Sequence, residues 1–488
     1  MSNRSLFSDL SASTVNKLLT TVHGSIFFLI ISVWLPKSDL GIYAWCLSIA
    51  TLITTGQTLG TGQPMVRRIA AEAEDAGTVA RVALFIRTTM ALSLLLVALP
   101  IVWPLRGQIP YLEILIVAYL VMSIYMFAQV AIQALQAKQR FWAITLADQS
   151  GLVIKLILGA VLVYLGFGVA GLYAALAVSF VITAAFSFSL AAQSVPRIYS
   201  PLWNRKELGS LLREGLPLLP LPILYQTLSR ADWILLGFYK TDVAVAEYAF
   251  AYRIYEIGSL PAAVLGVILL PKLSAWLRGL KFEAFHAEAI PKLVRVIIAL
   301  SALIPLNVVL AWTPVIDGIT DGKYGAVNQM VISALAFCTP LVAGDLIYWS
   351  IFIAMVRNKT IMMITVGTCI LNVALNLILI PSYGGLGSAV SFFFTVAMSF
   401  FGYVVALRND LKQLRILLTL ILVFAIGFAA AFIARQVGGF WLIQCALASA
   451  IYIGGILLID RVPWREALDL VREKMDNASP NGEQHEAS

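Results

Sequence analysis

Residues Leu216 to Glu256 read LPLLPLPILYQTLSRADWILLGFYKTDVAVAEYAFAYRIYE, two apolar runs joined by the turn Lys240-Thr241-Asp242. Pro217, Pro220 and Pro222 crowd the start of the first run. Each proline lacks a backbone donor and clashes with the preceding helical turn. A membrane helix tolerates such breaks where neighbouring helices or water satisfy the freed carbonyls. Both runs carry charge, Arg230 and Asp232 in the first, Glu247, Arg253 and Glu256 in the second. Charges within apolar spans are costly and usually face a bundle interior or a watery cavity. The stretch therefore predicts a hairpin of two membrane-crossing helices that lines a polar path.

The rest of the chain agrees with that reading. Of 488 residues, 60% are hydrophobic and 12% charged, against about 25% charged in soluble domains. The apolar residues come in runs of roughly 20, the length that crosses a bilayer core. An all-α polytopic membrane protein of about fourteen transmembrane helices is expected, at approximately 14–35, 40–64, 83–104, 110–136, 143–165, 171–192, 212–236, 244–270, 292–316, 326–354, 360–380, 386–407, 415–434 and 440–459. With the amino terminus inside, the outer loops hold only Lys37, Arg106, Lys240, Lys323 and Arg435, and Lys155, Arg230, Arg253 and Arg295 fall within spans. The remaining basic residues, including Arg67, Arg68, Arg81 and Arg87, gather on the inner side. This bias predicts both termini in the cytoplasm. After the last span, Trp464, Leu468, Val471 and Met475 recur at helical spacing and suit the inner membrane surface; residues 477–488 are polar.

Chemistry by bond breaking finds no support. Gly318 to Tyr324 lacks the spacing of a phosphate loop. His23, His286 and His485 form no zinc motif, and no nucleophile lies beside a base. Cys46, Cys338, Cys369 and Cys445 fall in apolar spans as small buried hydrophobes. Basic residues spread over many short loops do not suggest nucleic acid. The sequence points to movement of a molecule, with no cofactor beyond a coupling H+ or Na+.

An internal repeat organises the spans. Lys37-Ser38-Asp39 before Tyr43-Ala44 matches Lys240-Thr241-Asp242 before Tyr248-Ala249. Ala91-Leu92-Ser93 matches Ala299-Leu300-Ser301, Trp103 matches Trp312, and Gly168 with Gly171 matches Gly384 with Gly387. Two parallel six-helix lobes are expected, helices 1–6 in residues 1–205 and helices 7–12 in 206–409. Helices 13–14 occupy 410–460, and 461–488 form a cytoplasmic tail.

Embedded charges mark candidate sites. Arg253 and Glu256 share one face of span eight, and Asp148 and Lys155 share one face of span five. Arg230 and Asp232, two apart, point different ways and need separate partners. Each set is open to two readings, structural ion pairs or the lining of a cavity between the lobes. A basic lining suits a phosphate or an acidic sugar, and Asp232, Glu256 and Asp345 are candidates for a coupling cation or proton. Pro217, Pro220 and Pro222, with Gly60 and Gly62, are candidate hinges.

Fourteen spans in two six-helix lobes plus two resemble the polysaccharide transporter branch of the multidrug/oligosaccharidyl-lipid/polysaccharide (MOP) exporter superfamily. Arg230 to Tyr239 resembles its seventh-helix pattern, an Asp followed by an apolar run and Gly. Glu247 to Arg253 resembles the start of its eighth helix, and Leu59 to Gly62 with Arg67-Arg68-Ile69-Ala70 the end of its second. The resemblance implies flipping of an undecaprenyl-pyrophosphate-linked oligosaccharide, a repeat unit of O-antigen, capsule or exopolysaccharide, across a bacterial inner membrane by rocking of the lobes. It also implies membrane lipids as partners, together with the polymerase and chain-length machinery. A lipid II flippase or a cation-coupled exporter of the same superfamily shares the architecture. The three prolines depart from the one or two usual in the family.

Overall fold

The computed structural model describes residues 3–71, 76–276, 294–407 and 412–459. Their helices are α1 (Asn3–Trp34), α2 (Lys37–Thr55), α3 (Gly62–Ala70), α4 (Ala76–Val102), α5 (Leu112–Ala137), α6 (Phe141–Tyr164), α7 (Gly168–Ala191) and α8 (Arg205–Gly215). The chain continues through α9 (Pro220–Tyr239), α10 (Asp242–Trp276), α11 (Leu303–Thr320), α12 (Gly325–Ala354), α13 (Asn358–Ala406), α14 (Lys412–Val437) and α15 (Trp441–Ile459). No strand occurs among the described residues. The surface helix expected at 462–475, the polar tail and the loop containing His286 lie outside the described residues.

Eleven helical segments among the described residues are long and apolar enough to cross a bilayer. One of them, α13, is two helices meeting at Gly384, where φ is 55° and ψ −132°. The helices α9 and α10, which carry the embedded charges, are not among the eleven. With α13 divided and this hairpin added, the expected fourteen are accounted for. Gly168 and Gly384, repeat partners in the sequence, both sit at positive φ, 52° and 55°.

Two expected spans end differently. Span two does not run to residue 64: α2 stops at Thr55, and a 3-10 turn at Gly56–Thr58 leads into Leu59 and Gly60. Both are left-handed, with φ of 45° and 71°, before α3 begins at Gly62. Span seven does not contain its prolines as interior breaks. The helix α8 ends at Gly215, Pro217 lies in a 3-10 turn at Leu216–Leu218, and Pro220 is the first residue of α9. Pro220 and Pro222 thus occupy a first helical turn, where the missing N–H would have had no partner. The Leu219 N–H still bonds the Gly215 carbonyl at 3.1 Å, carrying the chain across the turn.

Two compact units organise the chain, Met1–Ile257 with Thr365–Ser391, and Gly258–Ile364 with Phe392–Ser488. In the first unit Met65, Ile69, Ala83, Ala134, Val195 and Leu211 belong to one apolar cluster that ties α3, α4, α5 and α8 together. In the second unit Ile298, Leu341, Tyr348, Phe400, Val423 and Tyr452 form the corresponding core. Tyr452 donates to the Ala299 carbonyl at 2.8 Å, and Asn307 bonds Ser449 at 3.0 Å, so α15 is held to the segment 294–320.

Candidate functional site

The α9–α10 hairpin places its charges by helical geometry. Asp232, 3% exposed, faces α10. Its Oδ2 accepts the Tyr248 hydroxyl at 2.6 Å, and its Oδ1 accepts the Trp233 backbone N–H at 2.9 Å. Arg230, two residues earlier, points elsewhere and lies over the Trp233 ring at 4.8 Å. On α10, Arg253 Nη1 donates to Glu256 Oε2 at 2.7 Å, with the side chains 29% and 35% exposed.

Helix α1 supplies the opposite wall. The Arg253 guanidinium stands 5.6 Å from the Phe28 ring centroid, and Lys155 Nζ of α6 stands 4.7 Å from that of Phe27. Two cations from different helices are thus backed by neighbouring aromatic faces, whose negative quadrupole favours them. Lys155 makes no ion pair among the described residues, and the buried Arg253 Nε has no hydrogen-bond partner. Further along α1 a hydrogen-bonded network joins the same helices. Asn16 Nδ2 donates to Asp148 Oδ2 at 2.9 Å, and Gln149 Nε2 donates to Asn16 Oδ1 at 2.8 Å. His23 Nδ1 lies 2.9 Å from Gln149 Oε1. Asp148 and Lys155 share a face of α6 toward α1 yet take different partners there.

The ends of the hairpin are tied to the first unit. At one end Lys37 Nζ donates to Glu247 Oε1 at 2.6 Å, and Trp45 Nε1 to the Ile234 carbonyl at 3.0 Å. Tyr111 donates to Asp242 Oδ2 at 2.6 Å, and that bond pushes the Tyr111 hydroxyl up to about 12. Lys240 Nζ donates to the Pro381 carbonyl at 2.7 Å. At the other end, α3 and α8 carry an ion cluster. Arg68 bonds Glu207, Glu214 and Ser210, the last at 2.6 Å, and Arg67 reaches Glu214 as well. The Arg68 hydrogen bond holds the Glu214 carboxyl below its ordinary range, with Arg67 adding to the effect.

Of the candidates from the sequence, Arg230, Asp232, Arg253, Glu256, Lys155 and Asp148 all belong to the first unit. Asp345 lies in the second, on α12, with Ser399 as a hydrogen-bond partner and a buried Oδ1 that has none. Gly60 touches the backbone of Gly215, and a methyl on Gly62 would meet the Gln133 side chain at 2.7 Å. Arg87, expected with the inner-loop bases, is instead wholly enclosed between α4 and α5. It donates to the Met126 carbonyl at 2.8 Å and to Gln133 Oε1 at 2.6 Å. These oxygens let a guanidinium sit where loop exposure was expected. Sequence reasoning missed Asn16, Gln149, Phe27, Phe28 and Tyr248, whose spacing is that of ordinary helix faces. Among the described residues no three His, Cys, Asp or Glu gather as a metal site.

The family described as "Polysaccharide biosynthesis protein" has a model that matches residues 6–276. Among solved structures, a lipid II flippase, MurJ, in an inward closed conformation superposes with a TM-score of 0.72 at 14% identity, covering 94% of this chain and 99% of its own. An outward-facing multidrug resistance transporter of the MATE family, in the MOP superfamily, gives 0.57 at 18% identity, over 84% and 96%. A MOP superfamily transporter from Pyrococcus furiosus gives 0.55 at 18% identity, over 86% and 96%. At these identities the likeness carries the fold. No curated protein sequence matches significantly.

Proposed function

Because this chain belongs to the polysaccharide biosynthesis protein family, we propose that it is a flippase for an undecaprenyl-pyrophosphate-linked oligosaccharide, a repeat unit of O-antigen, capsule or exopolysaccharide. The observation that carries this reading is the pair Lys155 and Arg253, held on Phe27 and Phe28 and answered by a single carboxylate, Glu256. An anion with several oxygens would satisfy both cations and the idle Arg253 Nε, and a pyrophosphate is such a group. The sugars need a wet path, since each hydroxyl left unpaired in hydrocarbon is costly. The lipid tail can stay in the bilayer throughout. In this reading the protein resides in a bacterial inner membrane with both termini cytoplasmic and Lys37, Lys240 and Lys323 at the outer face. It performs no bond chemistry, and works beside a polymerase and chain-length machinery. Asp232 is bonded to Tyr248 and Glu256 to Arg253, and Asp345 keeps a buried Oδ1 without a hydrogen-bond partner; the three are the candidates for coupling to H+ or Na+.

The test is export of surface glycan by cells that depend on this chain. Arg253→Ala and Lys155→Ala are expected to insert normally and to lower export at least about tenfold, with Arg253→Lys recovering only part, because lysine lacks the planar fork. Arg253→Ala/Glu256→Ala is expected to stay inactive; restored export in that double variant would reduce the pair to a structural one and overturn the site. Lipid II is a second reading, favoured by the superposition on a lipid II flippase. It also carries a pyrophosphate, so the same site serves, and rescue of cells depleted of their own lipid II flippase would select it.

A further inference from the structure

We propose that the Lys37 end of the first unit is an outer gate, closed in this structure, held by the Lys37–Glu247 ion pair and seated on a backbone contact between Gly41 and Asp242. The proposal deepens the transport reading and rests on it. Lys37 opens α2, and Glu247 lies in the second turn of α10; their N-terminal signatures are partners in the internal repeat. The equivalent ends of two repeat-related helices therefore meet each other. Their contact is of a kind that allows nothing between: a methyl on Gly41 would lie 1.9 Å from the Asp242 carbonyl oxygen and 2.6 Å from its carbon. Position 41 has to be glycine only in a state where these two backbones touch.

Beneath the seat is an apolar plug. The Trp45 ring rests on Gly237, where an added methyl would meet its Cδ1 at 2.1 Å. The same ring presents an edge-on contact to Phe238 at 5.3 Å and to Tyr111 at 6.4 Å. Six residues along α10 from Glu247 comes Arg253, about 9 Å deeper at the helical rise. The closure thus lies between the cation pair and the outer face. The groups that hold it are partly buried, Lys37 at 22% and Glu247 at 21% exposure. Removing or reversing one of them leaves the other's charge unanswered in the closed arrangement, which favours the open one. Trp45, by contrast, is 2% exposed, so opening has to withdraw an intact aromatic surface and cannot proceed by fraying of side chains.

Cys46, wholly buried next to Trp45 on α2, is a native reporter. In a background with Cys338, Cys369 and Cys445 replaced by alanine, intact cells are treated with a membrane-impermeant maleimide. Labelling of Cys46 is expected to be slow in this background and about tenfold faster in Lys37→Glu and in Gly41→Val, as the open state gains population. The charge-reversed double variant Lys37→Glu/Glu247→Lys is expected to return to the slow rate, which a merely misfolded Lys37→Glu would not do. Equal labelling in all variants overturns the gate. A second arm joins Lys37→Cys/Glu247→Cys with a bifunctional maleimide in a Cys46→Ala background. Glycan export is expected to stop on joining, and export unchanged by complete joining also overturns the proposal. If the unjoined chain moves no glycan, the substrate reading fails, and labelling of Cys46 still decides the gate.

Discussion

Gly60 and Gly215 touch through their backbones, 2.1 Å separating the Gly215 carbonyl oxygen from the place a methyl on Gly60 would take. The α2–α3 break is thereby fitted into the α8–α9 turn, with Leu59 and Thr61 lining the reverse contact. Gly60 also stands at φ 71°, where a side chain adds strain. Gly60→Ala is expected to cost about 2–5 kcal/mol, from left-handed strain plus overpacking. Gly215→Ala, in right-handed backbone, should cost only the packing part. Membrane abundance and melting temperature of the purified variants check the order.

The prolines call for a milder outcome than an interior kink would give. Pro220 and Pro222 lie in the first turn of α9 and interrupt no hydrogen bond of its interior. Pro220→Ala and Pro222→Ala should each lower stability by about 0.4–1 kcal/mol, through the entropy of the unfolded chain. Pro217 sits in the 3-10 turn itself. If the hinge lies there, Pro217→Ala alone slows export while abundance holds. Slow export in Pro222→Ala with normal export in Pro217→Ala would move the hinge into α9.

Tyr248 and Asp232 form a buried pair that tests as a cycle. Tyr248→Phe leaves the Asp232 carboxyl with the Trp233 N–H as its remaining bond partner of the two, and should cost about 1–3 kcal/mol. Replacing both groups with apolar ones, in Asp232→Leu/Tyr248→Phe, should recover much of that loss, because neither is then left unsatisfied. Thermal unfolding of the three variants measures the coupling. Additive losses would mean that the hydroxyl and the carboxyl do not depend on each other.

The α3–α8 ion cluster should fail in acid. Arg68 and Arg67 hold Glu214 below its ordinary range, so the folded state favours the ionised carboxyl. That stabilisation is complete above the unfolded value, about 4.3. It is lost as pH falls further, through the lowered folded value. Hydrogen exchange of α8 amides should therefore accelerate below about pH 4.3, and Glu214→Gln should remove much of this pH dependence. Retention of the full acid response in that variant would assign it to another group.

The number and kind of helices were legible because a bilayer-length apolar run is a long signal, repeated along the chain. Gly384 was legible too, since its match to Gly168 marked a turn within what is otherwise one 49-residue helix. The helix ends were harder. Pro217, Pro220 and Pro222 look alike in sequence, and only their register against α8 and α9 separates a first turn from an interior break. Among the embedded charges, the spacing of Arg253 and Glu256 allowed their pairing to be read, whereas the partners of Asp148 and Lys155 on α1 could not be. Lys155 and Arg253 meet Phe27 and Phe28, two residues among 25 phenylalanines, and nothing local distinguishes those two. Arg87 misled for a related reason: a base near a helix end reads as a loop charge until the opposite helix shows Gln133 beside it.

The bonds between α1 and α6 bear on how the chain is made. Asn16 finds Asp148 only 132 residues later, which at ordinary ribosomal speed is roughly 7–26 s of synthesis. Throughout that interval the first helix holds Asn16, Lys17 and His23 without α6 to receive them. Lateral release into lipid would strand these groups, so retention beside the insertion machinery until α6 emerges is the cheaper course. Asn16→Leu should free the first helix earlier, and arrested nascent chains of stepped length, cross-linked to that machinery, would show when it departs.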